Sequence, residues 1–266
     1  MRKVFLFLSL FYISAFSFSQ EVPGYLGKKF GVSYNFNFFP FPDRMVFNKE
    51  VDYQPWTFAN KHEVNLCLTT SRKVTFNFAY SLLWQNYPFI NRQRRAASGE
   101  FNTSAGKGNY YFIPDEQKYK VAAHFFDMAL RIYVSKFIAP VGTYHQLRVG
   151  YVLYGLAAKE NYITGNLYDG YFYGYSGQQN IPVYEDVKLY ARQPWYKAVR
   201  LSYGLGNLKP IFNDVMYFSY GINLNFFFHN DYNKFSNRDY VRDYIRMPLS
   251  AFNTFDFHIG LGYFFK

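Results

Sequence analysis

The chain has 266 residues and a formal net charge of +11, and 24% of it is aromatic, with 28 Tyr and 32 Phe. Half of the residues are hydrophobic, yet the mean hydropathy of -0.23 is that of a polar chain. Past the amino terminus no window offers the roughly 18 uninterrupted apolar residues of a membrane-spanning helix, and the single Cys67 excludes an internal disulfide, so neither a helical membrane protein nor a disulfide-stapled secreted domain fits.

At the amino terminus Arg2 and Lys3 precede an apolar run from Val4 to Phe16. Ser17 and Ser19 then occupy the -3 and -1 positions before Gln20, the layout of a secretory signal peptide. The expected organisation is a signal peptide over 1–19 and one exported domain over 20–266. No Cys stands near the cleavage point, so a lipid anchor is not expected.

Eight segments of the exported part alternate apolar and polar residues, the pattern by which a strand separates two environments. In chain order they are Lys29 to Phe39, Asn60 to Ser71, Lys73 to Trp84, Tyr119 to Lys136, His145 to Ala158, Tyr196 to Asn207, Val215 to Phe228 and Ala251 to Phe265. Several are long enough to cross a bilayer as tilted strands, which takes roughly 9 to 11 residues. Short connections ("SR", "FIAPVGTY", "GNLKPIFND") alternate with long ones (Pro40 to Ala59, Gln85 to Lys118, Lys159 to Trp195, His229 to Ser250). Sorting of loops by length belongs to an up-and-down barrel with periplasmic turns and extracellular loops. A soluble sandwich has no reason to do it. The predicted fold is all-β: an eight-stranded antiparallel transmembrane barrel in the outer membrane.

Phase assigns the faces. Runs such as Val64, Leu66, Leu68 and Val199, Leu201, Tyr203, Leu205 suit hydrocarbon. The opposite phase carries Ser33, Asn35, Asn37, Asn65, Thr75, Asn77, Ser81, Gln146, Ser202, Ser219, Asn223, Asn225 and His258, with three carboxylates (Glu63, Asp127, Asp256) and three guanidiniums (Arg131, Arg148, Arg200). Charges enclosed at low dielectric must be paired, Arg and carboxylate match in geometry, and an eight-stranded lumen is just wide enough to be filled by side chains. The six charged residues therefore read as a salt-bridged plug and not as a channel lining.

The signal peptide, the eight-strand layout and the carboxyl end together resemble the small eight-stranded outer-membrane barrels of the OmpA/OmpX type, over the whole exported chain. Within "FHIGLGYFFK", residues His258, Gly260, Tyr263 and Phe265 fit a pattern that resembles the signal read by the barrel-assembly machinery. Lys266 after the terminal aromatic departs from it. The resemblance implies insertion by that machinery and contact with outer-membrane lipids and lipopolysaccharide.

Some barrels of this kind are lipid-modifying enzymes, which group Ser, His and a carboxylate near the outer rim. Here only His62 and His229 are expected at that rim, and "HNDYNKFSN", with His229, Asp231 and Ser236, is also ordinary turn chemistry. Asp256 and His258, on one inward face, read as a core hydrogen-bonding pair. No His or Cys pair has metal-ligand spacing. An enzyme is not expected, nor any cofactor or metal.

The third long connection holds "NLYDGYFYGYSGQQN", where Tyr171, Tyr173 and Tyr175 offer rigid amphipathic contact area; Tyr162 and Trp195, at its base, fit an aromatic girdle. In the fourth, "SNRDYVRDYIRMP" reads as a short helix capped by Ser236, with Arg238, Arg242 and Arg246 in one stripe, either a solvated face or a lid or dock for anionic partners. Removing Arg2 and Lys3 lowers the charge to +9, still basic, with "NRQRR" (91–95) the densest cluster; export directs that charge to the anionic outer leaflet and not to nucleic acid. The expected role is a structural or accessory subunit of an outer-membrane assembly or secretion complex, in contact with other outer-membrane proteins. A surface adhesin and a lipid-modifying enzyme are the alternatives.

Overall fold

A computed structural model describes residues 29–42, 56–88, 94–96, 110–114, 118–134, 138–157, 162–169, 183–191, 193–211, 215–229, 241–242, 245–246, 249–250 and 253–265, in places by backbone alone. The signal-peptide segment and the start of the exported domain lie outside the described residues.

Twelve strands follow in chain order: β1 (Phe30–Pro42), β2 (Trp56–Thr69), β3 (Val74–Pro88), β4 (Arg94–Ala96), β5 (Tyr110–Pro114), β6 (Lys118–Tyr133), β7 (Gly142–Leu156), β8 (Tyr162–Asp169), β9 (Val183–Tyr190), β10 (Tyr196–Ile211), β11 (Met216–His229) and β12 (Phe255–Phe265). Eight of them close into a barrel in the order β1-β12-β11-β10-β7-β6-β3-β2. Every pairing is antiparallel, and β12 closes the ring on β1 with Phe30 opposite Phe265 and Phe38 opposite Phe257. These eight are the eight alternating segments. Several run further toward the long connections than the alternation implies, as β3 does in reaching Pro88. Hydrogen bonding continues past the point where two environments need separating.

Closure removes the edges, so the backbone groups of the barrel find partners within it. The pleat then divides the side chains, and β12 shows it most simply, exposed and buried residues alternating from Phe255 to Phe265. Outside lies a belt of apolar residues with large exposed surfaces, including Leu66, Met128, Leu147, Val149, Leu201, Ile259 and Leu261. Inside lie the polar and charged residues of the opposite phase. Gly150 illustrates why the lumen can hold them: a Cβ there would strike the Asp127 carboxylate. Gly260 makes the same allowance for Asn35 and Ser219.

The other four strands form a separate sheet in the order β4-β5-β8-β9. It is built from the second and third long connections, through which Tyr110–Pro114 pairs with Gly165–Asp169. The eight alternating segments do not include it, because β4 and β5 have only 3 and 5 residues, too few for alternation to register. Tyr162 belongs to this sheet, packing on Tyr190 at 5.2 Å beneath Lys188. The sheet is fastened to the barrel by Tyr119 of β6, whose hydroxyl lies 3.0 Å from the Thr164 hydroxyl and accepts the Thr164 N–H at 2.9 Å.

In the last connection the described residues Val241, Arg242, Ile245, Arg246, Leu249 and Ser250 are helical. No helix among the described residues is long and apolar enough to cross a membrane, which says nothing of crossing by strands.

Candidate functional site: the filled lumen and its cap

The interior is stacked in three layers between the end that carries the long connections and the end that carries the short turns. At the loop end, an apolar cluster joins inward residues of the barrel wall (Leu83, Val121, Phe125, Val152, Tyr154, Ala198) to Ile163 of β8 and to Val241, Ile245 and Leu249 of the helix. These three residues stand four positions apart in helical conformation, and each is at most 2% exposed. They form a stopper in the mouth of the barrel.

Below the stopper lies a layer of charge. Arg148 Nη1 donates to Glu63 Oε2 at 2.6 Å and stands 3.7 Å from Asp127 Oδ2. Asp127 Oδ2 also accepts from Arg200 Nη2. The run Glu63, Arg148, Asp127, Arg200 thus crosses four strands, β2, β7, β6 and β10. Asn35 and Ser81 donate to the two oxygens of Glu63 at 2.9 and 3.2 Å. A second pair joins Lys61 Nζ to Asp256 Oδ2 at 2.7 Å, and Asn223 and Asn225 donate to the same carboxylate at 2.6 and 3.0 Å. Phe125 marks the boundary between layers: its ring lies 5.2 Å from Lys61 Nζ and 4.8 Å from the Arg200 guanidinium.

The turn end is closed by Tyr133, Ala139, Tyr144, Leu208, Tyr217 and Phe264. Arg131 sits here. Its Nε donates to Gln146 Oε1 at 2.7 Å and its guanidinium lies 4.7 Å from the Tyr144 ring centre. Among the described residues no carboxylate pairs with it. The expectation that Arg131 joins the salt-bridged set is therefore corrected: it lies nearer the turns than the carboxylates, at the level of Thr75 and Gln146. The counter-ion of Asp256 is Lys61, which lies outside the expected set. Lys61 escaped sequence reading although it occupies the inward phase two residues before Glu63, a signal that alternation did supply.

The direct pairing of Asp256 with His258 is corrected as well. Asn223 Nδ2 stands between them, 2.6 Å from Asp256 and 3.4 Å from His258 Nδ1, and His258 Nε2 is 3.1 Å from the Tyr144 hydroxyl.

Each of the five histidines meets a tyrosine hydroxyl. On the outer wall Tyr34 lies 2.5 Å from His62, Tyr80 2.7 Å from His124 and Tyr203 2.6 Å from His145. In all three pairs the Tyr is displaced by two residues from the position directly opposite the His, the diagonal that long side chains span. On an apolar wall a polar ring atom without a partner is costly, and this contact supplies one. At the rim His229 Nδ1 is 3.0 Å from the Tyr154 hydroxyl. Asp231 and Ser236, the other members of the possible rim triad, lie outside the described residues, as do Tyr171, Tyr173, Tyr175 and Arg238. Arg242 and Arg246 are half-buried on the helix, flanking its inserted face. Trp195 is exposed and meets His124 edge-on at 5.0 Å. Of the carboxyl-terminal pattern, His258 and Gly260 face the lumen while Tyr263 and Phe265 face outward. Among the described residues no group of His, Cys, Asp and Glu could hold a metal ion.

No family model matches the sequence, and no curated protein matches it. Among solved structures, this chain is similar to Ail, the attachment invasion locus protein of Yersinia pestis, solved in complex with the heparin analogue sucrose octasulfate. The identity is 6%, the match covers 90% of this chain and 99% of that one, and the TM-score is 0.38.

Proposed function

We propose that the protein is an outer-membrane barrel that acts by contact and not by conduction, as a structural or accessory subunit of an outer-membrane complex. The observation that carries this reading is the lumen. Its mouth is stopped by Val241, Ile245 and Leu249, its waist is crossed by ion pairs and its turn end is closed by aromatic rings. An interior filled in this way among the described residues argues against a path for a solute and leaves the wall and the loop-borne sheet as working surfaces.

Placement in the outer membrane is supported by the exposed apolar belt, which water would not tolerate at that extent, and by the signal-peptide layout at residues 1–19. The long connections and the β4-β5-β8-β9 sheet then project from the cell, and lipopolysaccharide and membrane lipid contact the wall.

Purification in mild detergent from native membranes tests the proposal. A stoichiometric outer-membrane partner is expected. An isolated monomer that still binds cells or glycans would overturn the accessory role in favour of an adhesin. That second reading is favoured by the four-stranded sheet itself, an ordered platform built from two connections that need only join barrel strands.

A further inference from the structure

Counting the buried charges of the described lumen gives four cations, Lys61, Arg131, Arg148 and Arg200, against three anions, Glu63, Asp127 and Asp256. Any proton gained by His258 would enlarge that excess. The three carboxylates are all committed, to Arg148, Arg200 and Lys61. The uncompensated charge is that of Arg131, 2% exposed, and a buried charge with no counter-charge is among the most destabilising features a fold can carry.

Arg131 is not simply left in hydrocarbon-like packing. One donor, Nε, goes to Gln146, and no acceptor among the described residues takes the two terminal nitrogens. Its guanidinium lies 4.7 Å from the Tyr144 ring, which packs 5.5 Å from the Tyr133 ring, and Tyr217 belongs to the same buried cluster. The hydroxyls of Tyr133, Tyr217 and Thr69 are buried and meet no hydrogen-bond partner at bonding distance among the described residues. A guanidinium with spare donors beside unengaged hydroxyls is the donor set that takes an anion.

We infer that the turn end of the lumen is a binding site for one small monovalent anion of the halide class, held by Arg131 with the Tyr133 and Tyr217 hydroxyls as neighbouring donors. The charge balance sets the valence, because a dianion such as phosphate would replace an excess of one positive charge by an excess of one negative. The closing side chains of Tyr133, Tyr144, Leu208, Tyr217 and Phe264 argue for a compact ion. The anion would complete the sealed interior and adds no transport path.

A ligand bound only by the folded state raises stability in step with its concentration. The test compares unfolding of the reconstituted wild-type barrel in sodium chloride and in sodium gluconate at equal ionic strength. The expected result is a higher midpoint in chloride, with a shift that saturates as chloride replaces gluconate. Gln146→Glu places a carboxylate where Oε1 now meets Arg131 Nε, so it should fold and lose the chloride shift; Arg131→Met should lose it too. Bromide diffraction on the wild type gives a readout independent of variant folding, and an anomalous peak in contact with Arg131 is expected. Equal wild-type midpoints in the two salts, a full chloride shift retained in Gln146→Glu, or no bromide peak at Arg131 would each overturn the inference.

Discussion

Glu63 is the most connected side chain of the charge layer, accepting from Arg148, Asn35 and Ser81. Removing its charge leaves Arg148 with only Asp127, 3.7 Å away, while Asp127 is already shared with Arg200. Glu63→Gln should therefore destabilise the barrel by about 3–5 kcal/mol, the cost of breaking a buried pair from one side. Replacing both partners, Glu63→Met with Arg148→Met, should cost markedly less, since burial of two uncharged side chains avoids the desolvation of either ion. Urea unfolding in lipid vesicles measures both, and a double variant no more stable than Glu63→Gln would mean that the pair contributes more than its burial costs. At this scale the sequence was informative about facing and silent about pairing. Phase placed Glu63, Asp127, Arg148, Arg200 and Asp256 inside, but which cation meets which carboxylate depends on strand order around the ring. That order sets Lys61 of β2 against Asp256 of β12, residues separated by 195 positions in the chain.

Among the elements, the helix of the last connection shows how an amphipathic segment can be read from its wrong side. Its Arg stripe drew attention as a lid or a dock, and the stripe of Val241, Ile245 and Leu249, spaced as regularly, is the one that enters the barrel. The charged face of a short helix is conspicuous in sequence, whereas three aliphatic residues acquire meaning only once there is a hydrophobic mouth to fill. The four-stranded sheet was illegible for a different reason: β4 and β5 have 3 and 5 residues, too short for alternation to register, and their pairing with β8 joins two connections far apart in the chain. That stripe is the helix's buried contact with the mouth, so Ile245→Ser with Leu249→Ser should release it while the barrel, whose backbone bonds do not depend on it, stays folded. Limited proteolysis should then cut between β11 and β12 with no loss of strand signal in circular dichroism. Loss of the whole fold in this variant would show that the stopper is integral to the barrel.

For the whole molecule the controlling fact is an inversion, with apolar residues exposed on the wall and ions enclosed. In water the wall would drive aggregation; in a bilayer the same wall is solvated, and the closed ring of hydrogen bonds meets the requirement that no backbone group be left unpaired in hydrocarbon. Detergent that coats the wall leaves those bonds and the interior ion pairs untouched, so the folded barrel should persist in cold dodecyl sulfate as a compact particle. It should migrate faster on a gel before boiling than after, and cell fractionation should place it with the outer membrane; a soluble periplasmic product would sink the membrane reading. Electrically, the same interior makes a sharper claim. A current needs a continuous wet path, and here the path is interrupted at the helix, at the Glu63, Arg148, Asp127, Arg200 run and at the rings of Tyr133, Tyr144, Tyr217 and Phe264. Planar bilayers holding the protein should show no large steady conductance, and because the barriers act in series, releasing the helix alone should leave them closed. Stable nanosiemens-scale channels, in the wild type or in Ile245→Ser with Leu249→Ser, would mean that the lower two barriers yield to ions, and contact could no longer be the whole of what the barrel does.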